Sequence, residues 1–267
     1  MTPHHLIAGR ASARLDPAGC EPVLARLRAH AALTEQDEQA VGRLCQDARD
    51  LPARRSIIKE GDRPEQVHWL LRGWAARYKL LPDGARQIVG LLIPGDVSVL
   101  HASLVDEMDH GIVALGPVRL ASIPAVAMDA LAHSRPNVGQ ALLLASLVEE
   151  ATAKAWILNV GRRDAAERIA HLFCELHARL ERIGLVDGDS FELPLTQDTL
   201  ADAVALTAVH VNRTLQHLRS DGLILLKGRR LKILDLAALR TRAGFDGDYL
   251  RQHGHSRPAR AFLFEPA

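Results

Sequence analysis

The stretch that most restricts what this chain can become is Thr196–Ser220, TQDTLADAVALTAVHVNRTLQHLRS. It reads as two short helices joined by a tight turn. Thr196 can cap the first helix, because its hydroxyl accepts a hydrogen bond from an orphan amide at a helix start. Leu200, Ala201 and Val204 then fall on one buried face, with Gln197, Asp198 and Asp202 outside. Leu206 sits in the turn and Thr207 caps a second helix that buries Val211, Leu215 and Leu218. His210, Asn212, Arg213, Gln216 and Arg219 are left on its other faces. The small residue Ala201 lies where the two helices would cross, and the caps are eleven positions apart. This is the layout of a helix-turn-helix, whose second helix offers its first side chains to the DNA major groove.

A helical hairpin packed in a core would show much the same pattern; charge separates the two readings. Between Thr196 and Lys232 there are six basic residues (Arg213, Arg219, Lys227, Arg229, Arg230 and Lys232) against Asp198, Asp202 and Asp221, a net charge of +3. The remaining 230 residues carry −2, since the whole chain is +1. A basic segment in a near-neutral chain is the electrostatic footprint of a phosphate-binding surface.

After the helix pair, Leu223–Lys227, the turn Gly228-Arg229-Arg230 and Leu231–Leu234 form a β-hairpin with a basic tip, the wing of a winged helix. Before it, Arg162–Ile183 is amphipathic, with Ile169, Leu172, Phe173, Leu176 and Leu180 on one side. A short strand is expected at Phe191–Leu195. Asn137–Val160 is a longer helix with two apolar stripes: Val138, Ala141, Ala145, Val148, Thr152 and Ala155, and beside it Leu144, Leu147, Ala151 and Leu158. Two apolar faces need two things to pack against. One is expected to be the chain's own β domain. The other is expected to be the same helix of a second subunit, with the first stripe assigned to that interface.

From Leu51 to Met128 the pattern is one of short strands: Ser56–Ile58, Val67–Leu71, Ala75–Leu81, Gln87–Leu92, Ile112–Leu115 and Arg119–Ile123. Turn signals such as Pro82-Asp83-Gly84 and Pro94-Gly95-Asp96 recur about every eleven residues, the spacing of a small all-β unit. Two helices, Pro22–His30 and Thr34–Cys45, precede it, and Thr34 is expected to be an N-cap. Residues before about Glu21 and after Arg240 are poorly patterned and expected to be mobile.

With 48% hydrophobic and 24% charged residues the chain has the composition of a soluble globular protein. It shows no signal-peptide order of regions and no membrane-length apolar run, so a cytoplasmic location is expected. Cys20, Cys45 and Cys174 are odd in number and far apart, which argues against disulfides and against an iron–sulfur cluster. No HExxH, GxSxG or P-loop is present, and no enzymatic site is expected. His171, Cys174 and His177 lie three apart on one helix, where successive steps drift round the axis, so a core role is expected for Cys174.

Together these elements resemble the Crp/Fnr family of bacterial transcription regulators over about Leu33–Leu239. The resemblance rests on TQDTLADAVALTAVHVNRTLQHLRSDGLI, on DAAERIA at Asp164–Ala170, and on the turns around KEGD and LLRG. It implies an α+β chain with a jelly-roll-like antiparallel β-roll, a long dimerisation helix and a C-terminal winged helix-turn-helix. The divisions expected are a variable segment 1–32, a sensor roll 33–135, a dimerisation helix 136–160, a DNA-binding unit 161–239 and a tail 240–267. The partners implied are a second copy of the chain, double-stranded DNA carrying a two-fold symmetric operator, and RNA polymerase.

The departures from the family pattern concern ligands and the reader. Members that bind cyclic AMP carry a glutamate and an arginine where this chain reads PGDVSVLHASLVDEMDHGIVAL, Pro94–Leu115. Both are missing, and Asp106, Glu107 and Asp109 would repel a phosphate. Cyclic nucleotide, iron–sulfur cluster and haem are accordingly not expected. His101 and His110, the candidate axial ligands, are read as solvent-facing roll residues. In the reader, Ala205 replaces the family's turn glycine, which implies an unusual backbone there. Val209 replaces its common glutamate, and Arg213 is retained. Arg213 can grip guanine O6 and N7. Val209 can pack on a thymine methyl, His210 and Asn212 can reach bases or phosphate, and Thr196, Gln197, Thr207, Lys227, Arg229 and Arg230 are the remaining DNA-contact candidates.

Overall fold

In the computed structural model, residues 19–250 are described. The expectations for the first eighteen residues, and for the tail beyond Leu250, lie outside them. Helix α1 (Glu21–Arg28) and helix α2 (Glu35–Leu44) come first. Thr34 caps α2 as expected and does so reciprocally: its hydroxyl accepts from the Asp37 amide at 3.2 Å, and the Asp37 carboxylate accepts from the Thr34 amide at 2.9 Å. Seven strands follow: β1 (Arg49–Leu51), β2 (Ser56–Ile58), β3 (Gln66–Arg72), β4 (Ala75–Leu80), β5 (Arg86–Leu92), β6 (Gly111–Ala114) and β7 (Val118–Pro124). They pair antiparallel in two sheets, ordered β1-β7-β3 and β2-β6-β4-β5. The interior between them is filled by Ile58, Leu70, Leu92, Met108, Ile112, Val118 and Leu120.

Helix α3 (Ala125–Ser134) leads into α4 (Pro136–Arg162), and Arg163 and Asp164 alone separate α4 from α5 (Ala165–Arg182). Strand β8 (Ser190–Glu192), helices α6 (Gln197–Val204) and α7 (Ala208–Ser220), strands β9 (Ile224–Lys227) and β10 (Arg230–Ile233), and helix α8 (Leu236–Ala243) complete the order. The last three strands form one antiparallel sheet, β8-β10-β9. The expected architecture of antiparallel β sheets, one long helix and a winged helix-turn-helix is the one observed. No helix among the described residues is long and apolar enough to cross a membrane.

Several expectations change. Strand β1 and helix α3 were not anticipated: β1 offers only Leu51 to the interior, and α3 begins inside the region read as strands. The chain after Arg240 is ordered as far as Leu250. Ala243, Phe245 and Leu250 are buried, and the Tyr249 ring stacks on His171 at 6.1 Å. Arg163 Nε donates to the Ala243 carbonyl at 3.0 Å, so this segment straps the α4–α5 junction. Cys20 and Cys45 are paired as a disulfide with Cα atoms 6.0 Å apart. Distance in sequence did not keep them apart, because α1 and α2 close on one apolar cluster containing both.

The long helix α4 also divides its stripes differently from the expectation. Val138 and Ala141 are buried against α1, β3 and α3 residues, and Val148 joins the core shared with α5. Those three of the six residues assigned to a subunit interface are occupied by their own chain; Ala145, Thr152 and Ala155 are half-buried. The face left in solvent carries Leu143, Leu147, Ile157 and Leu158.

Candidate nucleic-acid interface

Each helix of the reader starts on a threonine. Thr196 Oγ1 accepts from the Thr199 amide at 3.1 Å, and Thr207 Oγ1 accepts from the His210 amide at 3.2 Å. Leu200, Ala201 and Val204 of α6 meet Val211, Leu215 and Leu218 of α7 in a single core with α5. The turn between the helices bends through Ala205, which adopts φ 52° and ψ 53°, the left-handed conformation that glycine takes without strain. The sequence reading of an unusual backbone there is correct. What holds it was not anticipated: Arg168 Nη1 donates to the carbonyls of Val204 and Ala205, each at 3.2 Å, while its Nε donates to the Arg163 carbonyl at 2.9 Å. One guanidinium thus closes the ends of α4 and α6. The signal was present in DAAERIA, but it names no partner.

With its inner face in the core, α7 turns Val209, His210, Asn212, Arg213 and Gln216 outward. Val209 is 71% exposed, an apolar side chain at the first turn of a helix with nothing among the described residues to cover it. No hydrogen bond or ion pair holds the Arg213 side chain among the described residues. Gln197 is exposed at the start of α6, beside the α6 cap. On the wing, Lys227, Arg229 and Arg230 are all exposed. Arg230 is paired with Asp187 at 2.8 Å; both are open to solvent, and such a pair holds by only about 0–1 kcal/mol. A phosphate can displace it.

The roll is closed inside and open only toward α1 and α4. Its interior leaves a cavity of about 10 Å³, lined by Ile57, Leu70, Ala75, Leu92, Ile112 and Leu120 with His68, Asp96 and Ser98. Ligand pockets run to roughly 300–1,000 Å³. That lining holds a carboxylate and no arginine. Among the described residues no group of three His, Cys, Asp or Glu can hold a metal. His101 is exposed and hydrogen-bonded to Ser146 at 3.1 Å, and His110 pairs with Asp109 at 2.7 Å. Cys174 is buried, and burial pushes its thiol up to about 12, so it is an inert core group.

The wider cavity, about 110 Å³, lies between α1, the roll and α4. Charges pair across it: Arg26 with Asp96 at 3.0 Å, Arg179 with Asp96 at 2.6 Å and Arg77 with Glu149 at 2.6 Å. Burial alone would raise the Asp96 carboxyl; Arg26 and Arg179 together with the Ile93 amide outweigh it and hold it below the usual range. Glu175 continues the network, accepting from Trp156 Nε1 and from the Tyr249 hydroxyl, each at 2.9 Å.

A capped helix pair with an uncovered polar face, a basic wing and a long helix with an open apolar seam together define a DNA-binding regulator. Comparison with known proteins agrees. The Crp-like helix-turn-helix domain matches residues 167–242 and the cyclic nucleotide-binding domain matches residues 48–135. The chain is 31% identical over 227 residues to the transcriptional activator protein FnrL of Cereibacter sphaeroides, covering 84% of this chain and 91% of that protein. It is 29% identical over 182 residues to the nitrogen fixation regulation protein FixK of Bradyrhizobium diazoefficiens, 68% and 76% of the two chains. The solved structure of FixK2 from Bradyrhizobium japonicum superposes with a TM-score of 0.65 at 24% identity, covering 73% of this chain and 95% of that one. The chain belongs to the Crp/Fnr family of transcription regulators.

Proposed function

We propose that the protein works as a homodimer in the cytoplasm, reads a two-fold symmetric DNA site with α7, and acts on transcription together with RNA polymerase. The observation that carries this reading is the outer face of α7, where the side chains of Val209, His210, Asn212 and Arg213 are exposed and meet no partner among the described residues. In this reading Arg213 recognises guanine and Val209 rests against a thymine methyl. Thr196, Gln197, Thr207, Lys227, Arg229 and Arg230 hold phosphates and fix the register.

The second copy is supported by α4. Gln140, Leu144, Leu147, Ala151, Lys154, Leu158 and Gly161 follow one another in alternating steps of four and three, the 3.5-residue period of a two-helix seam. Leaving a leucine in water forfeits about 2 kcal/mol of transfer free energy, and Leu147 and Leu158 of this seam are exposed, with Leu143 and Ile157 exposed beside it. Half of the stripe first assigned to the interface is used internally. The seam is therefore centred on Leu144, Leu147, Ala151 and Leu158, with Ala145, Thr152 and Ala155 at its margin. Salt-titrated mobility shift tests the reading: log affinity should fall linearly with log salt, with slope about −0.9 per phosphate contacted. Absence of DNA affinity at low salt would leave a protein-contact module instead.

A further inference from the structure

Strand β5 holds the winged helix at both of its ends. At its start, Arg86 reaches Asp202 on α6, with Nε at 2.8 Å and Nη2 at 2.6 Å from the same carboxylate oxygen. Next to it Gln87 Nε2 donates to the Asp202 carbonyl at 2.7 Å. At its far end, Arg179 of α5 donates to the Leu91 carbonyl at 2.9 Å and to Asp96, in the turn that follows, at 2.6 Å. Between these points Trp74, Ala76, Ile88, Leu91 and Ile93 of the roll share one continuous core with α5, α6 and α7.

This arrangement replaces a hinge with a braced joint. The two-residue junction Arg163-Asp164 would by itself leave the reader free to swing about the end of α4. With β5 attached, a rigid path runs from α4 to the roll, held by the Arg77–Glu149 pair at 2.6 Å, then along β5 to α6 and the recognition helix. In a dimer joined at α4, whatever fixes α7 to its own roll also fixes the distance between the two copies of α7. Half-sites must match that distance, normally one helical turn of DNA.

We propose that β5 sets the half-site spacing: Arg86 and Gln87 position α6 through Asp202, and so determine which operator lengths are accepted while reading no base. The inference rests on the dimeric DNA-reading function above. Gly95 belongs to the same device. It lies at φ +91°, and a Cβ there would come within 2.5 Å of the Pro22 carbonyl, so the turn carrying Asp96 presses directly on the start of α1.

The test uses the full chain and the operator that wild type selects, with its half-sites moved one or two base pairs closer or further apart. Each base pair changes both separation and phase by about a tenth of a helical turn. Wild type should lose about tenfold or more in affinity at one base pair's displacement. Arg86→Ala should bind the best operator a few-fold more weakly and lose most of that preference, with its affinity for an isolated half-site unchanged. Arg86→Asp combined with Asp202→Arg should recover the wild-type profile. Gln87→Ala, which removes one hydrogen bond to α6 and one to the Ile88 carbonyl, should show a smaller flattening and gives the same comparison if Arg86→Ala does not fold. A wild-type spacing profile in folded Arg86→Ala, or in Gln87→Ala where it stands in, overturns the inference. Failure of wild type to select any two-fold site overturns the underlying function itself, which is a different result.

Discussion

Helix α4 leaves Leu143, Leu147, Ile157 and Leu158 against solvent, whereas α5, two residues further on, draws His171, Glu175, His177 and Arg179 out of it. Each helix inverts what its side chains prefer, and each inversion implies a different remedy. Exposed leucines are relieved by another apolar surface, and none of the described residues supplies one. Buried charges are relieved by partners within reach, and α5 has them in Asp96, Trp156 and Tyr249. In the proposed dimer one helix is completed from outside the chain and the other from inside it. That division suits a molecule whose long helix joins copies while the next one anchors the reader to its own sensor.

The contrast can be broken most severely at the seam. Leu147→Asp places two like, unpaired carboxylates between the copies, and burying such charges costs several kcal/mol. The dimer dissociation constant should rise by about a thousandfold, roughly 4 kcal/mol, in sedimentation equilibrium. A variant that stays dimeric would place the interface elsewhere. On α5 the matching change is Glu175→Ala, which strips Trp156 and Tyr249 of their acceptor and leaves Arg179 with Asp96 and the Leu91 carbonyl. Removing one member of a buried pair costs about 3–5 kcal/mol, read from urea unfolding. A loss below about 1 kcal/mol would mean that water or another group replaces the carboxylate.

Acid should act on the same helix. Burial, with Arg163 nearby, lowers His171 from its ordinary 6.5 to about 4, so the folded chain refuses a proton that the unfolded chain accepts. Stability is then constant above pH 6.5 and declines as pH falls toward 4, by up to about 3 kcal/mol for this residue. His68 in the roll, lowered to about 4 chiefly by its burial, adds a decline of the same sign. Denaturant melts at several pH values should show proton uptake on unfolding, and His171→Phe should reduce it. An unchanged slope would show that His171 titrates alike in both states. Smaller again is the effect of Arg213→Ala, which should reduce discrimination at one base pair by about tenfold in competition mobility shifts while leaving the seam and the α5 network untouched. Full specificity in that variant would remove Arg213 from base recognition.

The same contrast explains what was legible in the sequence. The reader was, because caps, a 3.6-residue period and a basic hairpin are local signals, and Ala205 stood out where a left-handed residue is needed. Six of the seven roll strands were, from alternation and turn residues. Both stripes of α4 could be seen as well, but periodicity records apolarity and not the partner, so Val138, Ala141 and Val148 were assigned to the wrong side. The buried charges of α5 were not legible, since nothing local announces that Asp96, some eighty residues earlier, will meet Arg179. The segment around Phe245–Leu250 has the Gly and Asp content of a loop; only packing against α5 makes it structure.

The central claim, a two-fold reader assembled through α4, is tested most directly by selecting bound DNA from a random pool with purified protein. The account predicts an inverted repeat with half-sites about one helical turn apart and a guanine in each half-site whose selection disappears in Arg213→Ala. Recovery of no consensus, or of a single unrepeated half-site from a dimeric protein, would contradict it.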